Sequence, residues 1–320
     1  MSDEYQHIFG GPWTEEKLDC LEAYLRAYNT ALSKSSFRRV YIDAFSGTGA
    51  RYTRERENEF SNVIPIAEFM NISDEQAKFF EGSALRAMKV RPEFHNVALI
   101  EKDKIKYSKL VELRCRVYEE QNDFSVSAGK ISVYNEDANK AIVRICKNAD
   151  WNGRRTGRRS RAVLFLDPFG CQVNWETLEA VAATGAIDMW YLFPSGLGIY
   201  RMITQERGSM PKGWEQKLDK CLGPNDWRSE FYREETFNDL FGGNSIEHRK
   251  VATIDSVERF FVQCLKSLFP FVADACLPLK NSAGYKMFSL CFASANQGVG
   301  GKIAVDIASH LLKKGAGSRG

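Results

Sequence analysis

Five short apolar runs, each followed by a stretch with helical spacing or by a turn, constrain this chain more than any other feature. They lie at residues 40–45, 97–100, 131–134, 162–166 and 187–193. Between them Tyr107, Leu110, Val111 and Leu113, then Ala138, Ala141, Ile142 and Ile145, then Leu178, Ala180, Val181 and Ala182 recur at helical intervals. Strands apolar on both faces and separated by helices predict an α/β fold with a mostly parallel, Rossmann-like sheet wound in βαβ units. The first four runs each reach an acid at or just past their ends: Asp43, Glu101, Asp137 and Asp167. In such a sheet the carboxyl ends of the strands form the ligand crevice, so the pattern predicts four acids on one rim.

The flanks complete the outline. Leu18, Leu21, Leu25, Tyr28 and Leu32 predict an N-terminal amphipathic helix with Thr14 as its N-cap. Gly82 and Ser83 predict the start of another helix, with Leu85 and Met88 facing in. From 197 to 250 aromatic residues lie among charges, and this stretch is expected to be a helical insertion after the fifth strand. An amphipathic helix through Val257, Phe261 and Leu265, a late strand at 285–292 and a last helix through Ile303, Ile307 and Leu311 follow. The whole of 1–320 reads as one domain around one sheet.

Composition excludes several classes. The 44 basic and 41 acidic residues nearly balance, so any nucleic-acid contact must come from a local patch. No apolar run approaches the roughly 18 residues needed to cross a bilayer, and no signal peptide opens the chain, which predicts a cytoplasmic protein with no membrane partner. The 8 cysteines include no Cys-x-x-Cys pair and the 4 histidines cluster with nothing, so no metal site is expected.

Residues 43–49, Asp-Ala-Phe-Ser-Gly-Thr-Gly, form the central motif. A glycine turn after the first strand lets the backbone approach a ligand closely. A dinucleotide site wants a third glycine where this chain has Tyr52, which argues against a nucleotide-dependent oxidoreductase. An acid ahead of Gly-x-Gly suits S-adenosylmethionine, which carries an ammonium and a sulfonium and no pyrophosphate. Asp43, Phe45, Gly47, Gly49, Glu101, Asp137 and Ala138 are therefore the expected cofactor residues. Glu101 can accept from both ribose hydroxyls, or belong to the solvated run 101–104. Asp137 can accept from the adenine amino group, or cap the following helix.

Asp167, Pro168, Phe169 and Gly170 are the expected catalytic residues, at the end of the most apolar strand. An acid accepts the hydrogen of a target nitrogen while an aromatic ring stacks on a flat substrate. A plain strand-ending turn is the competing reading. Cys171 lies close by, yet no Pro-Cys dipeptide supports a covalent thiol mechanism. Five arginines at 154–161 invite a phosphate-binding reading, but they precede the fourth strand, and the preferred expectation is a solvated flexible loop on the opposite rim.

These motifs resemble the three-Cys-motif partner proteins (TcmP). The resemblance rests on Trp13-Thr14-Glu15-Glu16-Lys17-Leu18, the motif at 43–49, Gly82-Ser83-Ala84-Leu85-Arg86-Ala87, Leu166-Asp167-Pro168-Phe169-Gly170, Trp175-Glu176-Thr177-Leu178 and Trp190-Tyr191-Leu192-Phe193-Pro194. It implies a class I S-adenosylmethionine-dependent methyltransferase fold and association with a cysteine-motif protein encoded nearby. The charged stretch 51–81 departs from the family by its length. Two functions stand: a methyltransferase acting on an amino group of a nucleic-acid base, and a non-catalytic cofactor-binding partner protein.

Overall fold

The computed structural model describes residues 12–48, 50–51, 80–119, 124–238 and 244–317. Gly49, Tyr52 and most of the stretch 51–81 lie outside them.

The apolar runs form the strands of one sheet. They are β1 (Arg38–Asp43), β2 (Asn96–Ile100), β3 (Ile131–Tyr134), β4 (Ser160–Leu166) and β5 (Ile187–Phe193). An antiparallel hairpin of β6 (Tyr232–Asn238) and β7 (Asn244–Lys250) stands apart. Then β8 (Phe271–Val272), β9 (Leu277–Lys280) and β10 (Lys286–Ser294) rejoin the main sheet. Its order is β8-β10-β5-β4-β1-β2-β3, with β9 also on β10. The five strands from β5 to β3 are parallel, and β10 runs antiparallel to β5. This is a Rossmann-like, mostly parallel sheet. The chain steps outward from β1 to β2 and β3, then returns to the other side of β1 for β4. The crevice of such a sheet opens at that reversal, at the carboxyl ends of β1 and β4.

Alternation along β4 explains the two layers. Ala162, Leu164 and Leu166 enter one core, whose helices are α4 (Ala138–Asn148), α5 (Trp175–Ala183) and α8 (Ile254–Leu268). Val163 and Phe165 enter the other, under α1 (Pro12–Ala31), α2 (Ser83–Lys89), α3 (Lys104–Glu119) and α9 (Val299–Gly317). Each face buries its own apolar set, which is why β4 is wholly apolar from Ala162 to Leu166.

Three local expectations change. α1 begins at Pro12, whose fixed φ and missing N–H suit a first helical turn, so Thr14 lies inside the helix and is buried, not a cap. On α9 the buried stripe is Ala304, Ala308 and Leu312, one residue beyond the expected one, and Ile303 is exposed. The insertion is helical through a π-helical turn (Ser195–Tyr200), α6 (Lys212–Leu222) and α7 (Trp227–Phe231), and then turns into the β6–β7 hairpin. Charged residues (Arg233, Glu234, Glu235, Glu247, His248 and Arg249) take the place of an apolar alternation across that hairpin, with Arg249 pairing diagonally with Glu235 at 3.4 Å. No helix among the described residues is long and apolar enough to cross a membrane.

Candidate functional site

The site is assembled at the carboxyl ends of β1 to β4. Tyr41 and Asp43 lie on one face of β1, and the Tyr41 hydroxyl donates to Asp43 Oδ2 at 3.2 Å. Ser83, the first residue of α2, donates to the same oxygen at 2.6 Å, and the Phe45 amide donates to Oδ1 at 3.3 Å. Asp43 is fully buried. Burial and the neighbouring Asp167 charge outweigh these bonds and push its carboxyl up to about 6.

Beyond Asp43 the chain turns. Ser46 staples this turn to β2: its amide donates to the Ile100 carbonyl at 3.0 Å and its hydroxyl accepts from the Ile100 amide at 3.1 Å. Gly47 has φ of 59°, a conformation that suits glycine, and a Cβ added there would meet nothing within 4 Å. Its amide donates to Glu101 Oε2 at 3.0 Å, while Glu101 Oε1 accepts from the Asp103 amide at 2.8 Å. Glu101 therefore bridges the glycine turn and the start of α3, and is not a member of a free charged run. Asp137 caps α4, accepting from the Asn139 amide at 3.1 Å and the Lys140 amide at 3.4 Å. Its other oxygen lies 3.7 Å from Lys102 Nζ. Ala138 is buried as the first residue of α4 and Phe45 is half-buried beside the glycine turn.

At the end of β4, Asp167 is ion-paired with Lys17 of α1. Lys17 is only 4% exposed, lies 5.5 Å from the centre of the Trp13 ring and 6.0 Å from that of Phe165. Trp13 in turn stacks on Phe288 of β10. Pro168 is buried, and Phe169 follows it with 59% of its surface exposed. Gly170 turns the chain with φ of 70°, and Gln172 Oε1 accepts from the Phe169 amide at 3.0 Å. Asn139 ties this loop to α4, donating to the Gln172 carbonyl at 2.8 Å and accepting from the Asn174 amide and the Thr177 hydroxyl. The Cys171 thiol is buried, and its hydrogen bond with Cys221, together with burial, pushes it well up, which removes it as a nucleophile.

All four acids stand on one rim. Among the candidates, Gly47 and Glu101 touch directly, and Asp43 and Asp167 are close enough for their charges to interact. Lys17, Ser83 and Asn139 were not among the expected site residues. Lys17 carries a sequence signal in retrospect: it shares a helical stripe with the buried Leu21, Tyr24 and Tyr28, where a lysine is out of place. The arginine run lies at the amino ends of the strands, on the rim opposite this site, but it is fastened and not a loose loop. The Asp150 carboxylate accepts from the Arg154, Arg155 and Thr156 amides.

No family model matches the chain, and no curated protein does either. Solved structures overlap with it at low identity. One is a Legionella pneumophila protein, 15% identical, covering 78% of this chain and 92% of its own, with a TM-score of 0.35. An S-adenosylmethionine-dependent methyltransferase from Clostridium acetobutylicum is 14% identical, covers 86% of this chain and 92% of its own, and has a TM-score of 0.31. The glycopeptide N-methyltransferase MtfA, complexed with sinefungin, is 13% identical, covers 85% and 93%, and has a TM-score of 0.33. Overlaps this slight assign no activity, and the fold class rests on the strand order and direction described above.

Proposed function

We propose that the chain is an S-adenosylmethionine-dependent methyltransferase acting on an amino group of a nucleic-acid base. The observation that carries this reading is the placement of Asp43, Glu101, Asp137 and Asp167 at the carboxyl ends of four adjacent parallel strands. The residues present fit the cofactor. Gly47 leaves open space where a side chain would stand, and Glu101 has lone pairs beyond the two it gives to backbone amides. Asp137 keeps an oxygen that no backbone amide takes, and Asp43 offers a negative centre behind the turn. Glu101 would accept from the ribose hydroxyls, Asp137 from the adenine amino group, and Gly47 would border the amino-acid portion.

S-adenosylmethionine supplies an activated methyl group on a sulfonium. The chain has to hold a nitrogen lone pair in line with that carbon in a site shielded from water. Asp167 accepts a hydrogen from the target amino group and so orients the nitrogen. Lys17 holds the Asp167 carboxylate in place through their ion pair. Pro168 fixes the turn from inside, and the exposed Phe169 ring offers a face for a flat base. The test is transfer of labelled methyl groups to total RNA, genomic DNA or cell protein, with no transfer to any acceptor counting against the reading.

The resemblance to three-Cys-motif partner proteins supports a second reading, in which the crevice binds the cofactor without turnover and the chain serves a cysteine-motif partner. Cofactor binding without transfer, together with co-purification of such a partner, separates it from the first.

A further inference from the structure

The rim opposite the crevice carries a positive surface. β1 and β4 are parallel neighbours, so their entry ends bring the exposed Arg38 beside the half-buried Arg161 and, just ahead of β4, the exposed Arg159, while Arg39 is buried and Arg154 is exposed on the preceding loop. Arg155 and Arg158 join them from the fastened loop. Gly153 and Gly157, at φ of 74° and 71°, let that loop turn twice while Asp150 gathers its amides.

Four of these guanidinium groups, those of Arg38, Arg39, Arg155 and Arg158, are held by neutral acceptors. Arg158 donates to the Ser36 carbonyl at 2.5 Å and the Phe37 carbonyl at 3.1 Å. Arg39 donates to the Leu32 and Glu93 carbonyls, Arg155 to the Asn148 carbonyl, and Arg38 to the Asn96 side-chain oxygen. Arg161 lies 4.7 Å over the Phe37 ring. Among the described residues none of these arginines forms an ion pair with a carboxylate, whereas Arg86, Arg144 and Arg228 elsewhere do. A carbonyl fixes a guanidinium in place and leaves its charge uncancelled. The crowding is felt locally: burial and the charges of Arg39, Arg158 and Lys130 hold His95 down at about 4. It adds no charge at neutral pH.

We propose that this amino-end rim is a docking surface for the phosphate backbone of a nucleic acid. The exposed guanidinium groups of Arg38, Arg154, Arg155, Arg158 and Arg159, three of them held by neutral acceptors and none ion-paired among the described residues, match a row of phosphodiesters better than a single small anion. A membrane surface fits less well, because none of the exposed large apolar side chains lies in the segments 34–39, 91–96 or 154–161 that carry the charge. β1 and β4 are 6 and 7 residues long, which puts the arginines about 20 Å from Asp43 and Asp167. A mononucleotide cannot reach both ends, so the surface points to an extended or folded polynucleotide, with its reacting base at the far rim. The inference deepens the nucleic-acid reading of the crevice, but it is read by binding and needs no turnover.

The test uses fluorescence anisotropy with a labelled single-stranded RNA and a labelled DNA duplex at graded KCl. The arms are the full chain, the triple variant Arg154→Gln, Arg155→Gln, Arg159→Gln, and the matching triple change to Lys. The Gln variant should bind at least about 10-fold more weakly near 0.1 M salt, and its log–log salt slope should flatten by about two. The Lys variant should keep most of the affinity, and both should melt as the parent does. Parent and Gln variant binding alike would overturn the proposal, as would no binding by the parent. Binding to phosphatidylserine vesicles that needs these arginines, with nucleic-acid affinity unchanged, would overturn it in favour of a membrane. S-adenosylmethionine affinity is measured alongside. Its absence in the parent defeats the methyltransferase reading and leaves the docking result standing.

Discussion

Lys17, on the first helix, forms an ion pair with Asp167, at the end of the fourth strand and 150 residues away. The pair ties α1 across the sheet to the loop expected to meet the substrate. Lys17 is the cation on that loop's carboxylate, and Asp43 is a like charge close enough to interact with it. Without Lys17 the Asp167 carboxylate loses the ion pair that ties it to α1. Lys17→Met and Asp167→Asn should each lower the methyl-transfer rate by about 100-fold. The double variant should lose little more than either, because the two side chains act as a unit. Losses that multiply in the double variant would show two independent roles.

Glu101 joins the glycine turn to the start of α3 while retaining acceptor capacity. Glu101→Ala should weaken S-adenosylmethionine binding by roughly 1–3 kcal/mol, the loss of hydrogen bonds to a charged acceptor. Glu101→Gln keeps an oxygen for the Gly47 amide and should fall between the two. Calorimetry checks the series, and wild-type chain that fails to bind at millimolar cofactor refutes the assignment.

Asp188 of β5 is buried, accepting from the Tyr24 hydroxyl at 2.8 Å and the Ser294 hydroxyl at 2.5 Å. Burial outweighs these bonds and raises its carboxyl from 3.8 to about 6. The folded chain thus holds a proton that the unfolded chain has released. This contribution is fully present below about 3.8 and is lost as pH rises through about 6. Asp43 acts in the same sense. Asp188→Asn keeps the shape and an acceptor for Tyr24 while removing the buried charge. It should be more stable than the parent by roughly 1–3 kcal/mol at pH 8, with the gain fading toward pH 4. Urea unfolding at both pH values checks this. A variant less stable at pH 8 would mean that the charge itself holds Tyr24 and Ser294.

The sheet was legible because burial on both faces leaves strands such as Ile187–Phe193 apolar but for Asp188, and because an acid marked the exits of the first four. The second role of Asp137, as the cap of α4, could also be foreseen from its place ahead of Ala138. Lys17 was not, because a charged residue on an amphipathic helix reads as solvent-facing until the strand opposite it supplies Asp167. The β6–β7 hairpin escaped for a related reason: its strands are rich in charged residues and carry no apolar alternation. The arginine loop was placed on the correct rim, but the bonds that fasten it to Asp150 run between backbone amides and a carboxylate, which residue types alone do not reveal.

Phe169 separates a catalytic loop from a mere turn. Pro168 before it is buried and Gly170 after it adopts a positive φ, so the backbone is fixed while the Phe169 ring is 59% exposed. An apolar ring this exposed contributes little to folding, so Phe169→Ala should change stability by no more than about 0.5 kcal/mol. If the ring stacks on a base, the same change removes roughly 1–3 kcal/mol of substrate binding. Cofactor affinity should hold, because the residues proposed for it lie on β1, β2 and α4. Phe169→Trp offers a larger face and should retain or improve binding, whereas Phe169→Leu keeps apolar area without a π-face and should behave like Ala. The measurements are thermal melting, cofactor calorimetry and transfer of labelled methyl groups to RNA and DNA across substrate concentration. A raised KM in Ala and Leu, with normal melting and normal cofactor binding, assigns the ring to the substrate. Equal KM across all four chains would make residues 167–170 a turn, and the methyl acceptor would have to be sought elsewhere on the rim.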